Sequence, residues 1–318
     1  MRFFRKAKKT EAWLAMVLQR DGIAAASVAR RVDGKPAVTL ASFFPGAPAG
    51  DASGAAALER AGRELHSANY RCTTVLAGGE YQFMSVEAPD VPRAELKTAM
   101  RWRMKDLLDF PVTDATYDVL DIPLDPSAAV RPQQSIFAIA ARNSVVQARQ
   151  KLFAQARIRL RTIDIPEMAQ RNVASMLAPD GRGIAMLSFG EDGGLLTVSW
   201  RGELYLSRRI DVTLAQLLDA DQERRHHSFD KITLELQRSL DNFDRQFSFI
   251  SVARLVLAPS GAAGLEDYLA ANLYTRVETL DLGQVLDLEA APELADAARQ
   301  QRFFVAIGAA LRVEEGAA

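Results

Sequence analysis

Apolar and polar residues follow two alternating periods along this chain. Trp13–Leu18 reads as an apolar strand, and Asp21-Gly22 supplies a tight turn before a second strand at Ile23–Ala29. A second pair, Asp33-Gly34, leads into Ala37–Phe44, which completes a three-stranded meander. The segment 45–54 is rich in Gly, Pro and Ala. After it the spacing turns helical over Ala55–Ser67, with Leu58, Ala61 and Leu65 on one face, and Arg71–Ala77 returns to a strand pattern.

The same order recurs in the second half. Gly183–Phe189, Leu195–Trp200 and Leu204–Val212 predict a second meander, separated by Glu191-Asp192-Gly193-Gly194 and Arg201-Gly202-Glu203. A long amphipathic helix follows, in which Ile232, Leu236, Leu240, Phe243 and Phe247 recur at helical spacing and Ser228 is its expected N-cap. A strand at Ala253–Ala258, a helix at Ala262–Asn272, a strand at Thr275–Leu280 and a helix at Arg299–Arg312 complete a βββαβαβα unit. The first half matches it with a helix at Asn143–Ala156, a strand at Arg159–Asp164 and a helix at Pro166–Leu177, Pro166 suiting a first helical position.

That alignment leaves Gly78–Arg142 over, as an inserted βαββ subdomain. Its strands are expected at Gln82–Val86, Thr116–Ile122 and Ile136–Ala141, its helix at Arg93–Leu108, and an exposed loop at Asp125–Gln134. The fold class is therefore α/β, a duplicated unit with one insertion. The expected division is a basic segment 1–10, a first lobe from 11–77 and 143–180 around the insertion 78–142, a second lobe 181–312, and a tail 313–318.

Composition narrows the function. A length of 318 residues suits two compact units, and 48% hydrophobic with 25% charged residues excludes a disordered chain. A net charge of -1 gives no global attraction to nucleic acid. One cysteine and three histidines exclude a disulfide framework and leave little for a metal site. No run approaches the roughly 18 apolar residues of a spanning helix, and no secretory signal is visible, so the expected compartment is the cytoplasm. Met1–Thr10 combines Phe3 and Phe4 with Arg2, Arg5, Lys6, Lys8 and Lys9, a composition suited to a peripheral touch on an anionic membrane face or to a solvated terminus.

Lobe pairs place sites in the cleft between them. The first hairpin turn of each lobe, Gln19–Gly22 and Glu191–Gly194, would face it, and Gly22, Gly193 and Gly194 offer backbone N–H groups to a phosphate. Asp21, Glu191 and Asp192 place carboxylates beside the same path, and the preceding strands end without one, so hydrolysis is not expected. Ordinary turn chemistry explains Asp21-Gly22 better and the longer loop about equally well. Gly261, in the loop Ala258–Leu265, and Glu235 and Arg238, on the long helix, are weaker candidates for a base or sugar. His226-His227 reads as a solvated loop, Cys72 as a core residue, and Arg101, Arg103 and Lys105 around Trp102 as an amphipathic helix face.

Five segments carry a family resemblance: Met100-Arg-Trp-Arg-Met-Lys-Asp-Leu-Leu-Asp-Phe-Pro-Val112, Ala138-Ile-Ala-Ala-Arg142, Ile163-Asp-Ile-Pro-Glu167, Leu236-Gln-Arg-Ser-Leu240 and Ala306-Ile-Gly-Ala-Ala-Leu-Arg312. Over nearly its whole length the chain resembles the PilM-like proteins of type IV pilus assembly, most of all the MshI-like branch of mannose-sensitive haemagglutinin pili. The resemblance implies an actin-like ATPase fold with subdomains 1A, 1C, 2A and a reduced 2B, the insertion being 1C. It also implies a nucleotide cleft, carried here by Gly22, Ser188, Gly190, Gly193, Gly194, Glu235, Arg238 and Gly261.

The family's acidic strand ends are missing. Ser188 stands where one is due, and the other falls near Met16. The expectation is a cleft that binds no cofactor, or ATP without hydrolysing it, with no catalytic or metal-ligating residue. The implied partner is the cytoplasmic tail of a PilN-like bitopic inner-membrane protein, with the assembly motor ATPase as a further partner. Trp102, Leu107, Leu108, Phe110 and Pro111 are the candidate docking residues, and the protein would be cytoplasmic and recruited to the inner membrane. The competing readings are an ATP-hydrolysing actin-like protein and the actin-like domain of a type II secretion platform protein.

Overall fold

In the computed structural model, which describes residues 12–31, 33–46, 52–125, 134–177 and 181–313, β1 (Trp13–Gln19) and β2 (Gly22–Ala29) form the expected hairpin about Arg20-Asp21. β3 (Ala37–Pro45) pairs antiparallel with β2, and α1 (Ala52–Glu64) returns the chain to β4 (Arg71–Val75), which lies parallel to β1. After α3 (Asn143–Gln155), β8 (Leu160–Asp164) adds to the far edge of β4 and α4 (Pro166–Ala174) follows. The sheet order is β3-β2-β1-β4-β8.

The second half repeats this. β9 (Gly183–Gly190), β10 (Gly193–Trp200) and β11 (Glu203–Ile210) form the meander, and β12 (Val252–Leu257) and β13 (Val277–Thr279) add in parallel. The order is β11-β10-β9-β12-β13. Even the close approaches repeat. A Cβ on Gly22 would lie 2.3 Å from the Phe44 carbonyl oxygen of β3, and one on Gly193 would lie 2.8 Å from the Ile210 carbonyl oxygen of β11. Each hairpin turn carries its glycine because the third strand passes against it.

Between β4 and α3, the strands β5 (Tyr81–Glu87), β6 (Ala115–Asp121) and β7 (Ser135–Arg142) form a separate sheet, ordered β5-β7-β6. The helix α2 (Arg93–Met104) buries Leu96, Met100 and Met104 against Ile136 and Ala138 of that sheet. This is the expected βαββ insertion.

Several expectations need correcting. The long helix α6 (Gln222–Gln246) starts well before Ser228: Asp221 caps it by accepting from the Glu223 and Arg224 N–H groups at 2.9 and 3.2 Å. Its first turns are polar, so apolar spacing could not reveal them. Ser228 lies inside and donates to the Arg224 carbonyl, and His226 and His227 are helical, His226 lying against the rings of Phe229 and Tyr268. α2 ends at Met104 rather than Leu108. A short helix α5 (Leu214–Leu217), closed by the reciprocal Thr213–Gln216 capping bonds, had no periodic signal at that length. The helix α7 (Leu265–Asn272) starts after Gly264, which holds φ at +80°. The segment Met1–Thr10, most of the loop 125–134 and the tail beyond 313 lie outside the described residues.

What joins the halves is an exchange of helices. α4 packs against β9, β10 and β11 of the second sheet, while α8 (Ala297–Ala310) packs against β1, β2 and β4 of the first. The two helices also cross each other, so one continuous core contains Ala15 and Val75, Val173, Ile184 and Val256, and Phe303 and Ile307. At the crossing, a Cβ on Gly308 would sit 2.3 Å from the Ala169 carbonyl oxygen, and Asn172 Nδ2 donates to the Gly308 carbonyl at 2.9 Å.

Gly308→Ala is expected to lower unfolding free energy by about 1–3 kcal/mol, the usual range for overpacking a tight core. Gly79→Ala, where nothing lies within 4 Å, should stay within about 0.5 kcal/mol. Denaturant unfolding of both variants checks this contrast.

Candidate functional site

The two hairpin turns face each other across a cavity of about 540 Å³ between the sheets. Leu18–Asp21 and Ser188–Gly193 supply two walls, Val75–Gly78 and Glu80 a third, and Gln301, Arg302, Phe304 and Val305 of α8 the fourth. The state of its N–H groups and charges decides what this cavity can bind.

Two N–H groups that follow β4 are already taken. The Gly78 N–H donates to Asp192 Oδ2 of the opposite turn at 2.9 Å, and the Ala77 N–H donates to Glu80 Oε2 at 2.7 Å. The chain's own carboxylates thus occupy amides that an anion would use. The turns are bridged as well: Arg20 Nε lies 3.0 Å from Glu191 Oε2, and Arg302 Nη1 lies 2.8 Å from Asp21 Oδ2. Gln19 Nε2 donates to the Arg302 carbonyl at 2.9 Å, and the Arg302 guanidinium rests 4.1 Å over the Phe43 ring. On the floor, buried Arg149 reaches both Glu80 oxygens at 2.6 and 2.7 Å and the Val75 carbonyl at 3.3 Å. Partial burial raises the Glu191 pKa above the ordinary carboxylate value; Arg20 opposes that shift, and the neighbouring Asp192 and Asp21 carboxylates reinforce it. A nucleotide entering here would meet four carboxylates, of which Asp21, Glu191 and Glu80 are paired with Arg302, Arg20 and Arg149 and Asp192 with the Gly78 N–H.

Beside the cavity, three parts of the chain meet at one buried carboxylate. Glu167, on α4, accepts from the hydroxyl of Tyr81, on β5, at 2.6 Å and from Arg209 Nη2, on β11, at 3.2 Å. Arg209 also donates to the Tyr81 hydroxyl, and Ser207 donates to Glu167 at 3.4 Å. Burial first, and then the Glu167 charge, push the Tyr81 hydroxyl pKa far up against the opposing pull of Arg209, so this phenol stays protonated and donates. First lobe, insertion and second lobe are registered on this one group.

Of the residues expected in the cleft, Ser188, Gly190 and Gly193 line the cavity. Ser188 is committed elsewhere: its hydroxyl donates at 2.6 Å to Gln170 Oε1, whose Nε2 donates to Met186 O, Leu195 O and Thr197 Oγ1 at 2.7, 3.1 and 2.9 Å. A serine at this strand end ties β9 and β10 to α4, where an aspartate would face the Gln170 carbonyl oxygen. Gly22 and Gly193 owe their presence to the neighbouring strands, and Gly194 to the Phe189 ring, 2.9 Å from where its Cβ would be. Gly261 sits at φ +71° in open space beyond Pro259. Glu235 and Arg238 stand outside the lining, on α6, where they pair with each other at 3.6 Å and Glu235 also meets Arg208 at 3.9 Å.

On the insertion, Trp102 is 76% exposed and Leu107 47% exposed, and Pro111 is exposed as well. Leu108 is half-buried against the insertion's core, and Phe110 is buried under the Arg142 guanidinium, 4.3 Å from its ring, so neither is free to dock. Cys72 is buried in β4, and its thiol pKa is pushed up to about 11 by that burial. Sequence reasoning missed Glu80, Arg149, Glu167, Gln170, Arg209 and Arg302, because polar side chains within helix and strand patterns look like solvated faces. Among the described residues, no group of His, Cys, Asp and Glu has the makings of a metal site.

The strand order, the duplicated lobes and the cleft between them are those of the actin-like ATPase fold. The chain superposes on a solved PilM-PilN type IV pilus biogenesis complex with a TM-score of 0.74 and 20% identity, over 95% of this chain and 98% of that one. A Bacteroides thetaiotaomicron protein with an actin-like ATPase fold gives a TM-score of 0.49 and 12% identity, over 93% and 99% of the two chains. The cytoplasmic domain of EpsL, an inner membrane component of the Vibrio cholerae type II secretion system, gives 0.43 and 13%, over 67% and 76%. No protein-family model and no curated protein sequence matches the chain.

Removing the central carboxylate should loosen all three parts together. Glu167→Ala leaves Arg209 and the Tyr81 hydroxyl without their shared acceptor and is expected to cost about 3 kcal/mol. Tyr81→Phe removes the bond given to Glu167 and the one taken from Arg209 but keeps the Glu167–Arg209 pair, and should cost about 2 kcal/mol. Thermal unfolding of the two variants should reproduce that order.

Proposed function

We propose that this protein is an actin-like scaffold of type IV pilus assembly that binds the cytoplasmic tail of a PilN-like inner-membrane protein. In this reading its cleft is held by its own ion pairs and performs no ATP hydrolysis. The observation that carries the proposal is the likeness to the PilM-PilN complex over 95% of this chain, which includes the inserted subdomain. The Arg-Trp…Phe-Pro segment around Trp102 supports placing the chain in the PilM-like group, and within it the MshI-like branch of mannose-sensitive haemagglutinin pili. A site in the cytoplasm at the inner membrane fits this role, and among the described residues no helix is long and apolar enough to cross a membrane. An ATP-hydrolysing role is less well supported, because the Ala77 and Gly78 amides and the cleft charges are already paired within the chain.

The docking surface in this proposal is the exposed part of the insertion. Trp102 and Leu107 would bury against apolar side chains of the tail, with Pro111 beside them, while Leu108 and Phe110 hold the surface in shape. A synthetic peptide of the PilN-like tail encoded with this protein, titrated into the full chain with Trp102 fluorescence or calorimetry as readout, tests it. Leu107→Glu should weaken binding about 30-fold, the loss expected of a hot-spot residue. Leu218→Glu, 51% exposed on the second lobe, should leave it unchanged. Absence of peptide binding by the unmodified protein would remove the partner, and equal affinity of Trp102→Glu, Leu107→Glu and unmodified protein would remove the surface.

A further inference from the structure

An aspartate in a hairpin turn ordinarily accepts from the backbone N–H groups of that turn. Asp192, in the turn between β9 and β10, does not. Among the described residues it makes no bond within its own turn and no ion pair; its hydrogen bond comes from the Gly78 N–H, 114 residues away across the cleft, at 2.9 Å. Gly78 makes that approach possible. A Cβ there would lie 3.1 Å from Asp192 Cβ, 3.4 Å from Asp192 Oδ2 and 3.2 Å from Arg209 Nη1. Carboxylate and guanidinium thus converge on the space that a side chain at position 78 would fill.

Arg209 has a donor to spare. Its Nη2 carries the bonds to Tyr81 and Glu167, while Nη1 makes none among the described residues. The corner therefore holds a backbone amide and a guanidinium nitrogen side by side, with a carboxylate of the opposite lobe seated on the amide. Such a pair of donors suits a phosphoryl group or another small oxyanion, and the cavity beside it has room for one. The cavity's other donors are held by partners of their own: Glu80 takes the Ala77 N–H and Arg149, Glu191 takes Arg20, and Asp21 takes Arg302. Withdrawal of Asp192 alone leaves the Gly78 amide open.

We propose that the Gly78 N–H and Arg209 Nη1 form an oxyanion site that the Asp192 carboxylate keeps closed, an autoinhibitory contact between the lobes. Asp192 follows β9 of the second sheet and Gly78 follows β4 of the first. The contact opens when the lobes part and closes when they approach. Tethered by the fold, the carboxylate competes at an effective concentration on the order of mM. An oxyanion from solution binds only the fraction of molecules in which it has withdrawn. The inference rests on the closed-cleft part of the scaffold reading, to which it adds what the closure excludes.

The test follows unfolding of the full chain across a titration with inorganic pyrophosphate. Asp192→Ala removes the internal competitor at an exposed turn position, where the fold should tolerate it. The variant should bind pyrophosphate about ten-fold more tightly than the unmodified protein, read as a saturable stabilisation. Asp192→Asn keeps a neutral acceptor for the amide and should fall between the two. Adding Arg209→Gln to Asp192→Ala should cancel the gain, its unfolding curve without ligand verifying that it folds. Glu191→Ala frees the exposed Arg20 but leaves Asp192 on Gly78, and should gain less than about two-fold. ADP in place of pyrophosphate separates the sources of the diphosphate: affinity no higher marks a free oxyanion, tighter binding marks a nucleotide, and either supports the site. The same gain in Glu191→Ala, or a gain that survives loss of Arg209, would overturn the proposal. An equally tight response of the unmodified protein and Asp192→Ala would remove the closed cleft itself. No response in any variant would remove the oxyanion site and leave the closed cleft standing.

Discussion

Because residue 308 has no side chain, α8 can lie against the backbone of α4, the Gly308 Cα facing the Ala169 carbonyl at a distance no other residue would tolerate. That contact fixes how two otherwise separate sheets face each other. Each helix is packed on the sheet of the other half, so neither half can bury its own face alone. Phe303, Phe304, Ile307 and Leu311 are buried at this junction, and each such side chain contributes roughly 1.5–3 kcal/mol. The cleft's dimensions follow from the crossing, because Phe304 and Arg302, about one and two turns earlier on α8, form one of its walls.

Given that geometry, the charges in the cleft settle against each other. Exposed ion pairs such as Arg20 with Glu191 contribute at most about 1 kcal/mol each, so they are not what holds the lobes together. Their importance is chemical. They commit the carboxylates and guanidiniums that a nucleotide phosphate or its cation would need, while Asp192 and Glu80 hold the two backbone N–H groups at Gly78 and Ala77. Ser188 belongs to the same pattern, since its hydroxyl is spent on Gln170 and so on the seating of α4. Within the chain, these polar groups of the cleft pair with one another, across the two lobes at Asp192, Glu191 and Arg302 and on the cleft floor at Arg149.

Much of this architecture is legible in the residues. The Asp-Gly turns, the alternation of the meanders and the helical spacing of Ile232 to Phe247 are local signals, and they reveal the duplication and the βαββ insertion. Two kinds of feature are not. Polar helix starts, such as Gln222–Ser228, carry no apolar period, and only the Asp221 cap marks where α6 begins. Side chains that meet across long separations, such as Tyr81, Glu167 and Arg209, give no sign in sequence of their shared hydrogen bonds. Nor does the sequence show that the third strand passes too close for a Cβ at Gly22 and Gly193, two of the glycines weighed for a phosphate cradle.

Whether the cleft is a joint or a nucleotide site is the point on which the account turns. Thermal or denaturant unfolding of the full chain across a Mg-ATP titration measures it directly, because a ligand that binds only the folded state stabilises it by RT ln(1 + [L]/Kd). With the amides and charges already committed, the unfolding curve should not move at any concentration. A saturable stabilisation, reaching about 2.7 kcal/mol at a hundred times Kd, would contradict the account.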